Sequence, residues 1–444
     1  MNKQSRWKVS GLLVGVFAFT GCGGLLDVDN PNNLVEDDVQ KVQAASAVVN
    51  GAEALVWEAV GQIWAPYHVA TDDFYWIGSR DAWFSLDQGI VDDPYNEFAD
   101  AAFPYLGEAR WMADYALETI DTHVADGVEG MEILQPRANL YAGIIYMIIA
   151  EVQQDFAFSD RQEGQPAVGP ANMGQVFDQA ISYFDAAVTG FAAASGETAD
   201  DLGLAALALR ARAKQSRAIR AVIQPSPPSS GDPLDGMVAD AGATADAQAA
   251  LDAIGDADWA YQATYSASTV SNSFSFEVNN RQENNIDPAV AVEDEEWAGD
   301  GVKYDAVILD PVDGIPDPAL QARVDAFRVE GSNYQPADLV TARFLHLIVA
   351  EAALASGGDF TGAINDLRAL NDDLSAYPGG SDVDMMMHAR RVNTWGMGVR
   401  MSDMYRWGIQ ADLWAPTSAA IVSPGTLLPI TCIEIRANSN LSGC

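Results

Sequence analysis

The chain has 444 residues, with 24 Lys and Arg against 63 Asp and Glu, and a formal net charge of −39. Because 49% of it is apolar, it can build a large core and is not a disordered polyanion. So acidic a chain offers no basic face for phosphate, which excludes nucleic acid as a partner class.

The first residues carry Lys3, Arg6 and Lys8 without an acid, followed by the mostly apolar run "VSGLLVGVFAF". This is the layout of a secretory signal, too short to span a bilayer stably. The next residues, "FTGC" (Phe19 to Cys22), resemble the lipobox of bacterial lipoproteins, with Phe19 where that motif prefers Leu. The resemblance implies a signal peptide over 1–21 and lipidation at Cys22, whose acyl chains contribute roughly 0.8 kcal/mol per buried CH₂. Residues 22–34, around "GGLLDVDNPNN", read as a tether. Loss of the leader leaves a net charge near −42 and only Lys41, Lys214 and Lys303 as lysines. Two readings fit that balance: a high-salt habitat that screens self-repulsion, or a surface that collects cations.

From about residue 35 the chain reads as helical, and one folded region is expected over 35–444. "LGEARWMADYALETIDTHV" (106–124) places Ala109, Met112, Ala113, Ala116, Leu117 and Ile120 on one face at helical spacing. Residues 137–156, 174–191 and 201–223 predict further helices, the last rich in alanine. Residues 338–356 and 360–372 predict a late pair split by Gly357 and Gly358. Ala180 and Phe184 reproduce the Ala-x-x-x-Phe element of tetratricopeptide repeats. The expected fold is mostly α: tetratricopeptide-like helix pairs in an α-α superhelix, with an irregular, loop-rich capping region at about 259–336. That region loses helical period and carries Tyr261, Tyr265, Phe274, Phe276, Trp297 and Tyr304 among Asn, Ser and Asp.

The stretch 71–98 interleaves Phe74, Tyr75, Trp76, Trp83, Phe84 and Tyr95 with Asp72, Asp73, Arg80, Asp81 and Asn96. Aromatic faces beside hydrogen-bonding groups suit sugar rings. The candidate ligand residues are Asp72, Asp73, Trp76, Trp83 and Tyr95, with Trp297 on a second wall; core packing is the competing role for each aromatic. His68, His123, His346 and His388 are never three or four residues apart, so no helix face offers two imidazoles, and neither metal nor cofactor is expected. Nucleophile-elbow, phosphate-loop and EF-hand spacings are absent from the sequence. Cys432 and Cys444 remain as a disulfide candidate or as two free thiols.

At the C-terminal end, "ARRVNTWGMGVRMSDMYRWG" (389–408) resembles a hallmark of the SusD/RagB family of outer-membrane nutrient-binding lipoproteins, through Arg390, Arg391, Gly398, Arg400, Asp403, Arg406 and Trp407. Ala389 and Met397 stand where that family favours Glu. "LLPITCIEIRANSNL" (427–441) and "TARFLHLIVAEAALASGGDFTGAINDLRAL" (341–370) resemble two more of its segments, the latter through Ala350, Glu351, Ala352, Ile364, Asn365 and Arg368. The resemblance implies a non-catalytic, cell-surface protein of the outer membrane. It would bind an oligosaccharide or peptide and deliver it to a TonB-dependent, SusC-like transporter. On residue chemistry alone, 389–408 reads as a surface helix held by structural ion pairs. A helical glycoside hydrolase and a tetratricopeptide-like assembly scaffold are the alternatives.

Self-repulsion near −42 makes stability depend on screening. Thermal midpoints are expected to rise from low to molar KCl; a flat or falling midpoint rejects the habitat reading.

Overall fold

Small residues at regular helical spacing let helices pack in consecutive pairs. The computed structural model describes residues 36–160 and 163–444, so the expected signal peptide, Cys22 and the tether at 22–34 lie outside the described residues. Helix α1 (Ala45–Val69) packs on α3 (Glu97–Ala125), with the short α2 (Asp81–Asp87) between them in sequence. Then α4 (Leu134–Val152) packs on α5 (Gly174–Ala193), α5 on α6 (Glu197–Ile223), and α6 on α7 (Ala241–Ala253). The backbones come close where a side chain is missing: a Cβ on Gly143 would lie 2.7 Å from the Phe184 ring. Ala180 and Phe184 are both fully buried at that seam, so the tetratricopeptide-like pairing is present.

Further along the chain come α8 (Pro318–Phe327), α9 (Ala342–Ser356), α10 (Phe360–Arg368), α11 (Asp382–Asn393), α12 (Arg400–Trp407) and α13 (Cys432–Ala437). Helix α9 returns against α7 and packs on α10 and α11, joining the late helices to the superhelix. The region of lost helical period holds α8 and four short strands, which form antiparallel pairs with one another or with a strand from outside it. These are β1 (Phe74–Trp76) with β3 (Asn284–Ile286), β2 (Ala260–Ala263) with β6 (Ala337–Thr341), and β4 (Ala291–Glu293) with β5 (Tyr304–Ala306). No helix among the described residues is long and apolar enough to cross a membrane. Cys432 and Cys444 are bonded, with Cα atoms 5.7 Å apart.

Three differences from the sequence reading bear on the site. Helix α3 begins at Glu97, where Asn96 accepts hydrogen bonds from the Phe98 and Ala99 amides, and Pro104 lies within it. Residues 338–341 are strand, not helix: Val340 and Thr341 are β-branched, and the Thr341 hydroxyl caps α9 by accepting from the Phe344 amide. The third difference is the largest. The Arg-rich stretch is α11 and α12, and it is interior, with Arg390, Arg400 and Arg406 all buried.

Burial is possible there because every charge meets its opposite. Asp403 accepts from Arg390 Nε at 2.9 and 2.7 Å and from Arg406 Nε at 2.9 Å. Arg406 also bonds Glu351 of α9, which accepts from Gln215 of α6 at 3.1 Å and from the Val238 amide at 3.0 Å. On the superhelix side, Arg212 forks onto Glu151 at 3.0 and 2.7 Å and donates to Met397 O at 2.9 Å. The absent glutamates at Ala389 and Met397 are therefore not needed; Asp403 and Glu351 provide the anions for Arg390 and Arg406. Asp403→Ala would leave two buried guanidinium groups short of charge and should cost about 3–5 kcal/mol in urea unfolding. Asp178→Ala breaks only the half-exposed pair with Arg217 and should cost under about 1 kcal/mol. Equal costs would mean the buried network contributes no more than surface pairing.

Candidate ligand-binding site

Strand β1 joins the two stretches that the sequence offers as separate ligand walls. Phe74, Tyr75 and Trp76 pair with Ile286, Asn285 and Asn284. Alternation sends Phe74 and Ile286 into the core and leaves Tyr75 and Asn285 half-exposed on the other face. The turn after β1 is pinned from across the pair. The Ile77 and Gly78 amides donate to Glu283 O, both at 3.0 Å, and the Ser79 and Arg80 amides donate to Glu283 Oε2 at 2.9 and 3.1 Å. Gly78 is required there, since a Cβ would fall 2.8 Å from the Glu283 Cα.

On the solvent side of this pair, Asn285 Nδ2 donates to Tyr304 Oη at 2.8 Å, tying β3 to the β4–β5 hairpin. Trp297 lies between β4 and β5, 48% exposed, with Lys303 Nζ 5.6 Å from its ring centroid. Trp76 is half-buried against Phe84, ring centroids 5.2 Å apart, and Phe84 and Ile77 are exposed. Below them Asp87, the last residue of α2, accepts from the Trp76 amide at 3.1 Å. Burial raises the Asp87 carboxyl to about 7; nearby Asp287 adds to the rise, and the Trp76 amide only partly offsets it. Asp287 is also raised, first by burial, and the Tyr75 phenol is raised by burial and then by Tyr304 and Asp287. The surface therefore combines aromatic edges, a carboxamide, a phenol and two carboxyls that make no salt bridge among the described residues, a set suited to polyhydroxylated rings.

The structure redistributes the residues chosen from sequence. Trp83 is 2% exposed and stacks on Phe98 at 3.7 Å, so it belongs to the core. Asp73 is sealed: it bonds Arg391 and accepts from His68 Nδ1 at 2.9 Å. Asp72 is held by Arg400 at 2.7 and 2.6 Å. Burial alone would raise the Asp72 carboxyl, but Arg391 and Arg400 outweigh it and hold it well below the usual carboxylate range. Both aspartates thus anchor the base of β1 and are withdrawn as ligand contacts. Tyr95 is 53% exposed but is turned to the C-terminus, its hydroxyl donating to Cys444 O at 3.2 Å and Arg436 standing over its ring. Trp76 and Trp297 remain at the surface. Asp87, Asn285 and Asp287 were missed because only the β1–β3 register brings them together; the alternation around Tyr75 was the one local signal.

Two other places compete and are weaker. A cleft of about 450 Å³ between α1, α3 and α13 is lined by Leu55, Phe103, Trp111, Phe156 and Ile433. Its Arg110 is bound to Asp114 and Ser159 O, and its Glu434 to Ser159 and Asn438, so they are already engaged within the protein. Asp310, Asp317 and His388 form the one cluster with metal-ligand spacing among the described residues. Arg368 already forks onto Asp310 at 2.6 and 3.1 Å, supplying the positive charge a cation would bring.

A mostly helical superhelix capped by loops and short strands, bearing an aromatic surface on the cap, defines the class of fold. Solved structures share it. A SusD homolog from Bacteroides thetaiotaomicron superposes with a TM-score of 0.63 at 13% identity, over 92% of this chain and 98% of its own. A SusD superfamily protein from Bacteroides vulgatus gives 0.61 at 13% identity, over 90% and 98%. A laminarin-binding SusD-like protein gives 0.57 at 13% identity, over 89% and 97%. The chain therefore has the SusD fold. No protein-family model matches the sequence, and no curated protein matches it.

Proposed function

We propose that this protein is a non-catalytic glycan-binding protein whose ligand surface is the β1–β3 face with the Trp297 hairpin. The observation that carries the reading is the β1–β3 pairing on the cap of a SusD fold, which sets Tyr75 beside Asn285 on the half-exposed face and ends at Trp76, packed on the exposed Phe84. The laminarin-binding protein of the same fold supports an oligosaccharide as ligand. Cys22 would anchor the chain in the outer membrane, and a TonB-dependent, SusC-like transporter would receive the glycan, as the lipobox and the SusD/RagB motifs suggest. A hydrolase is less well supported. Solved structures of the same fold carry sugar-binding and laminarin-binding descriptions rather than enzymatic ones.

Calorimetric titration against a panel of oligosaccharides tests the ligand surface. Tyr75→Ala and Phe84→Ala are each expected to weaken binding by about 1–3 kcal/mol with an unchanged melting midpoint. Normal affinity in both variants would place the site elsewhere, and release of reducing ends by the wild type would make it an enzyme. The anchor has its own test. Cys22→Ser should abolish labelling by a palmitate analogue and move the protein out of the membrane fraction, and unchanged labelling rejects it.

A further inference from the structure

The guanidinium groups buried between the superhelix and the late helices outnumber their anions. Arg212, Arg390 and Arg406 are matched by Glu151, Glu351 and Asp403. Arg220 of α6 is a fourth, 5% exposed and without a salt bridge among the described residues. Its Nη1 donates to Ala150 O and Gln153 O at 3.3 and 2.9 Å, and its Nη2 to Gln154 O at 3.0 Å, so it closes the end of α4 through carbonyls alone. Beside it is a small cavity of about 10 Å³ between α4, α5, α6, α11 and α12, lined by Glu151, Phe177, Ser216, Arg220, Arg390 and Ser402. Two buried donors of that lining have no hydrogen-bond partner, Arg220 Nε and Arg390 Nη2. Glu151 borders the cavity too, but its charge is taken by Arg212 at 3.0 and 2.7 Å, and Ser216 donates to it at 2.6 Å.

We infer that this cavity is a site for one small monovalent anion, a halide, held by Arg220 and Arg390 with the Ser402 hydroxyl beside them. Unmade donors and an unmatched charge in the interior are both costly. A halide removes both at once: it accepts N–H groups from several directions and carries the single negative charge that the arginines exceed their carboxylates by. A water molecule would serve the donors and leave the charge. Sulfate or phosphate is too large for this volume and brings more charge than one surplus arginine calls for. The Arg220 guanidinium agrees. Burial pushes it down to about 10, and Asp155, which makes no ion pair with it, offsets that only in part. The chain as a whole carries −39, yet here its interior has one cation more than it has acids to meet. The site is separate from the proposed glycan surface and does not depend on that reading.

The test separates a bound halide from general screening. Melting midpoints of the full chain are measured in potassium isethionate, whose anion is too large for the cavity, and isethionate is then replaced stepwise by bromide. Potassium and ionic strength stay constant, so screening of the acidic surface does not change. Occupancy of the site should raise the midpoint by about 2 °C and then saturate. Arg220→Gln removes the surplus charge and should lose that rise. Arg217→Gln, at an exposed arginine one turn earlier on α6, should keep it. Crystals of the wild type grown in bromide give a second reading that needs no variant: anomalous scattering should place one bromide between Arg220 and Arg390. A midpoint indifferent to bromide, a rise that is unsaturated and equal in Arg220→Gln, or a cavity that holds water and no bromide would each overturn the inference.

Discussion

The buried relay of arginines and carboxylates between the superhelix and the late helices is the constraint on which the rest of the structure depends. Glu151 and Arg212 belong to helices four and six, Glu351 to the ninth, and Arg390, Asp403 and Arg406 to the last long pair. A hydrophobic seam could hold these helices at many rotations. Forked guanidinium–carboxylate pairs hold them at one, because a register shift would strand a charge in the interior at a cost of several kcal/mol. Lysine could not substitute, since each guanidinium serves two or three acceptors at fixed angles; Arg406 alone reaches Asp403, Glu351 and Gly236 O.

The same relay positions the candidate site. Arg391 and Arg400 lie on the late helices and reach back to Asp72 and Asp73, immediately before β1. His68, stacked on Phe274 with centroids 4.8 Å apart, bonds Asp73 through Nδ1 and accepts from the Gly398 amide through Nε2. One imidazole thus links the first helix, the base of β1 and the loop before Arg400. The Asp287 amide then donates to Asp73 O, so the first residue beyond β3 is placed by the aspartate that the relay fixes. The ligand face can therefore be rigid although it is built on three-residue strands.

What the sequence made legible follows from how local each signal is. Helix pairs with alanine at their contacts carry their own periodicity, and the Ala180–Phe184 element identifies the seam with Gly143 without outside help. The Arg-rich stretch read as surface because charge normally means solvent; its burial depends on Glu351, Asp72 and Asp73, tens to hundreds of residues away. Residues 338–341 continue an apolar run into a helix, and only pairing with 260–263 makes them strand. The site shows the limit most clearly. Trp83 and Phe84 are neighbours on one short helix, about 100° apart around its axis, so one meets Phe98 and the other meets water. Composition cannot rank them. Likewise "DD" at 72–73 and the separate Asp87 and Asp287 are chemically alike, and only the position of Arg391 and Arg400 decides which pair is neutralised inside the protein.

That allocation connects the interior to the whole-molecule charge. Of the described arginines only Arg217, Arg281 and Arg436 are exposed; most of the rest are committed to buried or half-buried carboxylates. The three lysines among the described residues each contact an aspartate, Lys41 with Asp38, Lys214 with Asp246 and Lys303 with Asp305. A chain with so few cations that places them inside leaves its acid surplus facing outward, where self-repulsion is opposed only by dissolved ions. Asp87 and Asp287 stand outside those salt bridges, each accepting a backbone amide, from Trp76 and from Ala289. Interior architecture and site position are in this sense one arrangement: the arginines of the late helices also hold Asp72 and Asp73, and through them fix the start of β1.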